Sequence, residues 1–183
     1  MNQGIISRRY ASALWMYAQK HKQEDRVYAE TKLLCMGFAK YESLKRVISN
    51  RMLSQDKKIA VINTIAGENV SDVFQNFIRL LFANKREKFL QIICLSYETI
   101  YLKEHKILNA SLVTAVPIEE DMERHFIQNI EKNTGHTIQL STHVNPNILG
   151  GYVIMVDTYR LDVSVTTQLK RIEKSLLETG INI

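Results

Sequence analysis

The stretch that decides the fold begins Val144-Asn145-Pro146-Asn147-Ile148-Leu149-Gly150-Gly151-Tyr152-Val153-Ile154. It continues through Asp157-Thr158-Tyr159-Arg160-Leu161-Asp162-Val163-Ser164-Val165 and closes on Leu169, Ile172 and Leu176. Asn-Pro stops a strand, because the residue before proline is driven out of helical geometry and proline brings no backbone donor. Gly150-Gly151 admits backbone angles that a side chain would forbid. Tyr152, Ile154 and Val156 alternate with Val153, Met155 and Asp157, the period of a strand. Asp157-Thr158-Tyr159-Arg160 is polar enough to turn the chain. Asp162 and Ser164 are both candidates to cap a helix by accepting its unpaired amide hydrogens. From Val165 the apolar residues recur at Leu169, Ile172 and Leu176, a helical stripe predicted to end near Gly180. The stretch reads strand, turn, capped helix.

Upstream, Leu108, Ala110, Leu112, Thr114 and Val116 alternate with Asn109, Ser111 and Val113, which predicts a strand ended by Pro117. Glu119, Glu120 and Asp121 open a helix carrying Met122, Phe126 and Ile130 that stops at Gly135. Ile138, Leu140, Thr142 and Val144 form the next strand. Residues 107–183 therefore read as strand, helix, strand, strand, helix, a small α/β domain.

Before Lys106 the period is helical throughout. Ile6, Tyr10, Ala13, Leu14 and Tyr17 share one face of a first helix, and Val27, Thr31, Leu34, Phe38 and Tyr41 one side of a second. Leu44, Val47 and Ile48 make a short third piece. Ser54 is placed to cap a fourth helix, which buries Ile59, Ile62 and Ile65 and stops around Gly67. The fifth, Ser71 to Asn84, carries Val73, Phe74, Phe77, Ile78, Leu80, Leu81 and Phe82 and reads as apolar nearly all round, the mark of a central helix or of a face kept for a partner. A sixth, from about Phe89 to Lys106, carries Leu90, Ile93, Tyr97 and Ile100 and is expected to bridge the two parts. The fold class is α+β: an N-terminal six-helix bundle over 1–106, then the small C-terminal α/β domain.

Composition agrees. The 183 residues are 45% hydrophobic, with only 7 Gly and 2 Pro, which favours helices over a turn-rich all-β fold. Lys plus Arg number 24 against 19 acids, a formal charge of +5 with no basic run. Cys35 and Cys94 lie far apart in sequence within apolar helical segments and read as buried free thiols, a disulfide being the lesser alternative. The N-terminus reads as an amphipathic helix rather than a secretory signal, and no apolar run approaches the ~20 residues that span a bilayer.

Little of the chain suggests chemistry. His21, His105, His125, His136 and His143 show no metal-ligand spacing with each other or with cysteine. Glu119-Glu120-Asp121 sit where a helix dipole favours acids, which explains them better than acid–base catalysis. Gly150-Gly151 precede a strand, not the helix that a phosphate loop requires, and Ser164 has no histidine near it in sequence. No catalytic residue, cofactor or metal site is expected.

Three segments in order carry a resemblance. Arg9-Tyr10-Ala11-Ser12-Ala13-Leu14, then Phe77 to Arg86, then Asn145-Pro146 through Leu149-Gly150-Gly151-Tyr152-Val153-Ile154 to Asp162-Val163-Ser164-Val165 and Leu169 resemble the delta subunit of F-type ATP synthases, the oligomycin-sensitivity-conferring protein family. Leu112 to Pro117 is similar to the first strand of that family's second domain. Val163, and Lys85 in place of a frequent glycine, depart from the pattern.

The resemblance implies a stator part of ATP synthesis and hydrogen-ion transport, not an enzyme. The helical domain (1–106) would bind the N-terminal helices of the alpha subunits on the catalytic head. The domain over 107–183 would contact the peripheral stalk's b subunits. The expected head contact is the groove between the first and fifth helices: Ile6, Tyr10, Leu14 and Tyr17 against Phe74, Phe77, Ile78 and Leu81, with core-facing and groove-facing members not separable. Membrane association would come only through the complex, on the cytoplasmic side of a bacterial inner membrane, with no nucleic acid bound and no self-assembly required. The alternative is a nucleic-acid-binding helical and α/β module at net charge +5, whose binding would fall steeply with salt.

Overall fold

The computed structural model describes residues 3–50, 52–67 and 69–178. The chain divides into two compact units, Met1–His105 and Lys106–Ile183.

The first unit is helical: α1 (Gln3–Lys20), α2 (Glu24–Lys40), α3 (Ser43–Ser49), α4 (Gln55–Ala66), α5 (Asp72–Ala83) and α6 (Leu90–Glu104), with a 3-10 turn at Glu87–Phe89 leading into α6. Helix α6 packs between α1 and α2, and α5 leans on α1, α2 and α4. The core gathers Leu14, Val27, Leu34, Ile48, Ile62, Phe74, Ile78, Leu81, Leu90, Ile93 and Tyr97. Helix α5 is not apolar all round. Its Val73, Phe74, Phe77, Ile78, Leu81 and Phe82 are buried while Asn76, Arg79 and Leu80 face water, so it is amphipathic with a wide apolar face.

Aromatic rings close the end of this unit. Tyr28 stacks on Tyr101 with centroids 3.9 Å apart, and Trp15 meets Tyr97 and Tyr101 at 6.0 Å. The Tyr101 hydroxyl donates to Asp25 Oδ1 at 2.7 Å. Burial and that carboxylate push its pKa up to about 12. Ser54 stands before α4 without a side-chain cap bond. Ser71 does cap α5, its Oγ accepting from the Phe74 amide at 3.2 Å. Helix α6 stops at Glu104, inside the first unit, so it is not the expected bridge: Lys106 takes a left-handed φ of 53° and breaks the helix before the strand begins.

The second unit is a four-stranded sheet in the order β2-β1-β3-β4, from β1 (Ile107–Thr114), β2 (Thr137–Val144), β3 (Tyr152–Val156) and β4 (Tyr159–Asp162). Strands β1 and β2 are parallel, joined through α7 (Glu120–Thr134), while β1–β3 and β3–β4 are antiparallel. Residues of one parity on β1 (Ala110, Leu112, Thr114) are buried, as period-two packing requires. The Phe126 ring of α7 meets Tyr152 edge-on at 5.0 Å. Gly135 ends α7 in the left-handed conformation that glycine adopts without strain.

Within this unit the turn after β3 differs from expectation. Only Asp157-Thr158 form the turn, and Tyr159–Asp162 pair with β3 as a fourth strand. A polar edge strand four residues long has too few apolar positions to show an alternation. Last comes α8 (Val165–Glu178). The expected stop near Gly180 falls outside the described residues.

Candidate functional site

The decisive stretch first builds a joint. The Asn145 side chain accepts the Asn147 amide at 3.1 Å and starts a 3-10 turn at Pro146–Ile148. Gly151 follows with φ of 72°; a Cβ there would meet the Val163 carbonyl oxygen at 2.2 Å. The glycine therefore lets β3 cross against the segment that enters α8. Ser164 caps α8, its Oγ accepting from the Thr167 amide at 3.2 Å. Asp162 Oδ1 in turn accepts the Ser164 hydroxyl at 2.7 Å and the Ser164 amide at 3.1 Å. Both residues expected as caps serve, one directly and one by holding the other. The Ser164 hydroxyl and amide bonds hold the Asp162 carboxyl down at about 2.

The joint presents α8 to water. Val165, Leu169 and Ile172 are between 38% and 56% exposed, and Leu176 is half-buried. They lie on one side of the helix by spacing, and an apolar stripe left in water marks a place for a partner.

In the first unit, α1 and α5 leave a cleft of about 320 Å³ lined by Ala13, Leu14, Tyr17, Asn76, Phe77 and Leu80. The structure sorts the eight expected groove residues. Phe74 and Ile78 are fully buried and Leu81 nearly so; none of the three lines the cleft, and they serve the core. Leu14 and Phe77 are buried but form its floor, and Tyr17, 38% exposed, stands at its wall. Ile6 and Tyr10 are half-buried outside it, with Tyr10 edge-on to Phe77 at 6.4 Å. Sequence reasoning missed Ala13, Asn76 and Leu80 as lining. Leu80 had a signal: it sits three residues from Phe77 and is off the buried stripe of α5. No lining residue carries a charge.

Among the described residues no cluster of three or more His, Cys, Asp or Glu could hold a metal, and no helix is long and apolar enough to cross a membrane.

The model of the ATP synthase delta (OSCP) subunit family matches residues 6–176, nearly the whole chain. The chain belongs to that family. The ATP synthase subunit delta of Parabacteroides distasonis is 37% identical over 178 residues, covering 97% of this chain and 99% of that protein. The one from Bacteroides thetaiotaomicron is 37% identical with both chains fully covered. A chain in the cryo-EM structure of the Toxoplasma gondii mitochondrial ATP synthase hexamer shares the fold, with a TM-score of 0.65 at 22% identity over 93% of this chain and 97% of that one. The family match over residues 6–176 spans both units.

Proposed function

We propose that this delta-family chain is a non-catalytic stator link. Its helical unit holds the N-terminal helices of alpha subunits on the catalytic head, and its α/β unit holds the b subunits of the peripheral stalk. The observation that carries the reading is the uncharged cleft between α1 and α5. It has the form that receives one face of an amphipathic helix, with Leu14 and Phe77 as floor and Tyr17 and Leu80 as rims. The α8 stripe supplies the stalk contact by the same physics. A rotor driven by ion flow drags the head round unless the head is tied to the membrane, so such a link couples rotation to ATP synthesis. It sits peripherally, on the cytoplasmic side of a bacterial inner membrane, through the complex alone.

The test is calorimetric titration of the full chain with a peptide of the alpha subunit's N-terminal segment from the same organism. One-to-one binding that survives high salt, with a negative heat-capacity change, is expected from apolar burial. Binding that collapses with salt would point instead to a charged ligand such as nucleic acid. Leu80→Asp is the informative variant, because Leu80 is 50% exposed and tolerates a charge in the free chain, whereas Ile78 is 0% exposed and does not. Docking against Asp forfeits about 1 kcal/mol of apolar burial and adds about 1–3 kcal/mol of carboxylate desolvation. The sum weakens binding about 30-fold or more. Unchanged affinity would refute the cleft as the docking site.

A further inference from the structure

Cys35 is half-buried on α2 and Cys94 is buried on α6, two helices that pack along each other. Both thiols are free, and the helix register sets them opposite each other: Tyr28 of α2 stacks on Tyr101 of α6 at 3.9 Å, Phe38 of α2 shares a recess with Gln91 and Ile92 of α6, and Cys35 and Cys94 fall between these two meeting points. Leu34 and Ile93, the chain neighbours of the two cysteines, are fully buried, so the sulfurs meet inside a packed interface. Further along the same helix pair the Tyr97 hydroxyl donates to the Glu24 carbonyl at 3.2 Å, and Tyr101 donates to Asp25. These bonds fix the register of α6 against α2, and with it the meeting of the sulfurs. Neither cysteine lines the cleft or lies on α8.

We propose that Cys35 and Cys94 are an oxidisable dithiol site that reacts with a low-molecular-weight disulfide to close a reversible staple between α2 and α6. The two positions are unequal, and that sets the order of steps. Cys35 is the more exposed residue of the two, and the Cys94 thiol beside it lowers its pKa. The Cys35 thiol, with burial, raises that of Cys94. The thiolate is the attacking species. Cys35 gives its proton to water and attacks one sulfur of the small disulfide; that S–S bond breaks, one small thiolate leaves, and Cys35 is left as a mixed disulfide. Cys94 then loses its proton and attacks the Cys35 sulfur, expelling the second small thiolate. Two protein thiols are oxidised, one small disulfide is reduced to two thiols, and the leaving thiolates take up the protons. The staple spans residues 35–94 and so encloses α3, α4 and α5 in one covalent loop. Closing a loop removes freedom from the unfolded chain, so oxidation raises resistance to unfolding.

The experiment incubates the full chain with oxidised glutathione, then measures intact mass after alkylation and the urea midpoint followed by Trp15 fluorescence. The expected product is a monomer lighter by two hydrogens, with no alkylatable thiol, no glutathione adduct and a higher urea midpoint that dithiothreitol returns to the starting value. Cys94→Ala should stop at a glutathione adduct on Cys35, and Cys35→Ser should react at least about tenfold more slowly than the unaltered chain. Two thiols still open to alkylation, a lasting Cys35 adduct in the unaltered chain, or a cross-linked dimer would each overturn the staple. Equal reaction rates for Cys35→Ser and the unaltered chain would overturn the order of attack.

Discussion

Replacing Glu30 by alanine should destabilise the helical unit out of proportion to one side chain on the second helix. Glu30 is buried, its side chain 6% exposed. It accepts the Ser71 amide at 2.5 Å and the Ser71 hydroxyl at 2.7 Å, while Arg26 Nε lies 3.5 Å from Oε1. Arg26 also donates to the Asn69 carbonyl. Ser71 in turn caps α5 through the Phe74 amide. One carboxylate on α2 thus holds the start of α5, 41 residues away in sequence. Each bond to a charged acceptor contributes about 1.5–3 kcal/mol, and a buried amide left without an acceptor costs about 1–3 kcal/mol. The hydroxyl can rotate to a new partner and the losses overlap, so Glu30→Ala should cost about 3–5 kcal/mol in total. That is a large share of the roughly 5–15 kcal/mol that holds a domain together. Glu30→Gln keeps one acceptor and should cost about half as much.

Urea unfolding followed by fluorescence reads this cleanly, because Trp15 is the single tryptophan of the chain and lies buried in the same unit. A double-mutant cycle with Ser71→Ala isolates the pair. A loss below about 1 kcal/mol for Glu30→Ala, or a coupling near zero, would refute the claim that this carboxylate positions α5.

Gly151→Ala must fit a Cβ against a carbonyl oxygen at 2.2 Å with φ at 72°, and should cost at least about 2 kcal/mol, read as faster hydrogen exchange in β3, β4 and α8. The folded state holds the Asp162 carboxyl at about 2, below its ordinary 3.8, so its contribution is complete above pH about 4 and is lost as pH falls towards 2. Asp162→Asn should flatten the acid limb of the stability profile across that window, and an unchanged limb would count against the cap relay. Lys85 turns the chain after α5 with a left-handed φ of 54°. Lys85→Gly relieves that strain and should add about 0.5 kcal/mol to the urea stability of the helical unit.

The fold class was legible because period carries it: six helical stripes, then alternation from Leu108, with glycines at 67 and 135 where helices end. The joint at Asn145 to Ser164 was legible for another reason, since Asn-Pro, Gly-Gly and Asp-x-Ser each leave one backbone solution. Strand β4 was hidden because an edge strand in water has no apolar face to display. The bridge expected of α6 failed because Lys106 supports a left-handed turn without being glycine, and residue type alone gives no warning of that. Inside and outside of α5 could not be separated from composition; Ile78 and Leu80 are both aliphatic and two residues apart, yet one is in the core and one in solvent. The partners of Glu30 could not be read from the sequence, and neither could the choice between separate thiols and a facing pair for Cys35 and Cys94. Each depends on which residue of a distant helix stands opposite, and a single sequence does not print that.

The order of strands in the sheet has a consequence during synthesis. β1 leaves the ribosome first of the four, yet it is an interior strand, flanked by β2 and β3. From Thr114, where β1 ends, to Val144, where β2 ends, the ribosome must add 30 residues (144 − 114). At about 5–20 residues per second this takes roughly 2–6 s. Throughout that interval the apolar side of Leu108-Ala110-Leu112 has neither neighbour, while the helices before it are already complete. A nascent chain of this protein should therefore engage holdase chaperones in one short window, opening after residue 114 emerges and closing when the second parallel strand arrives.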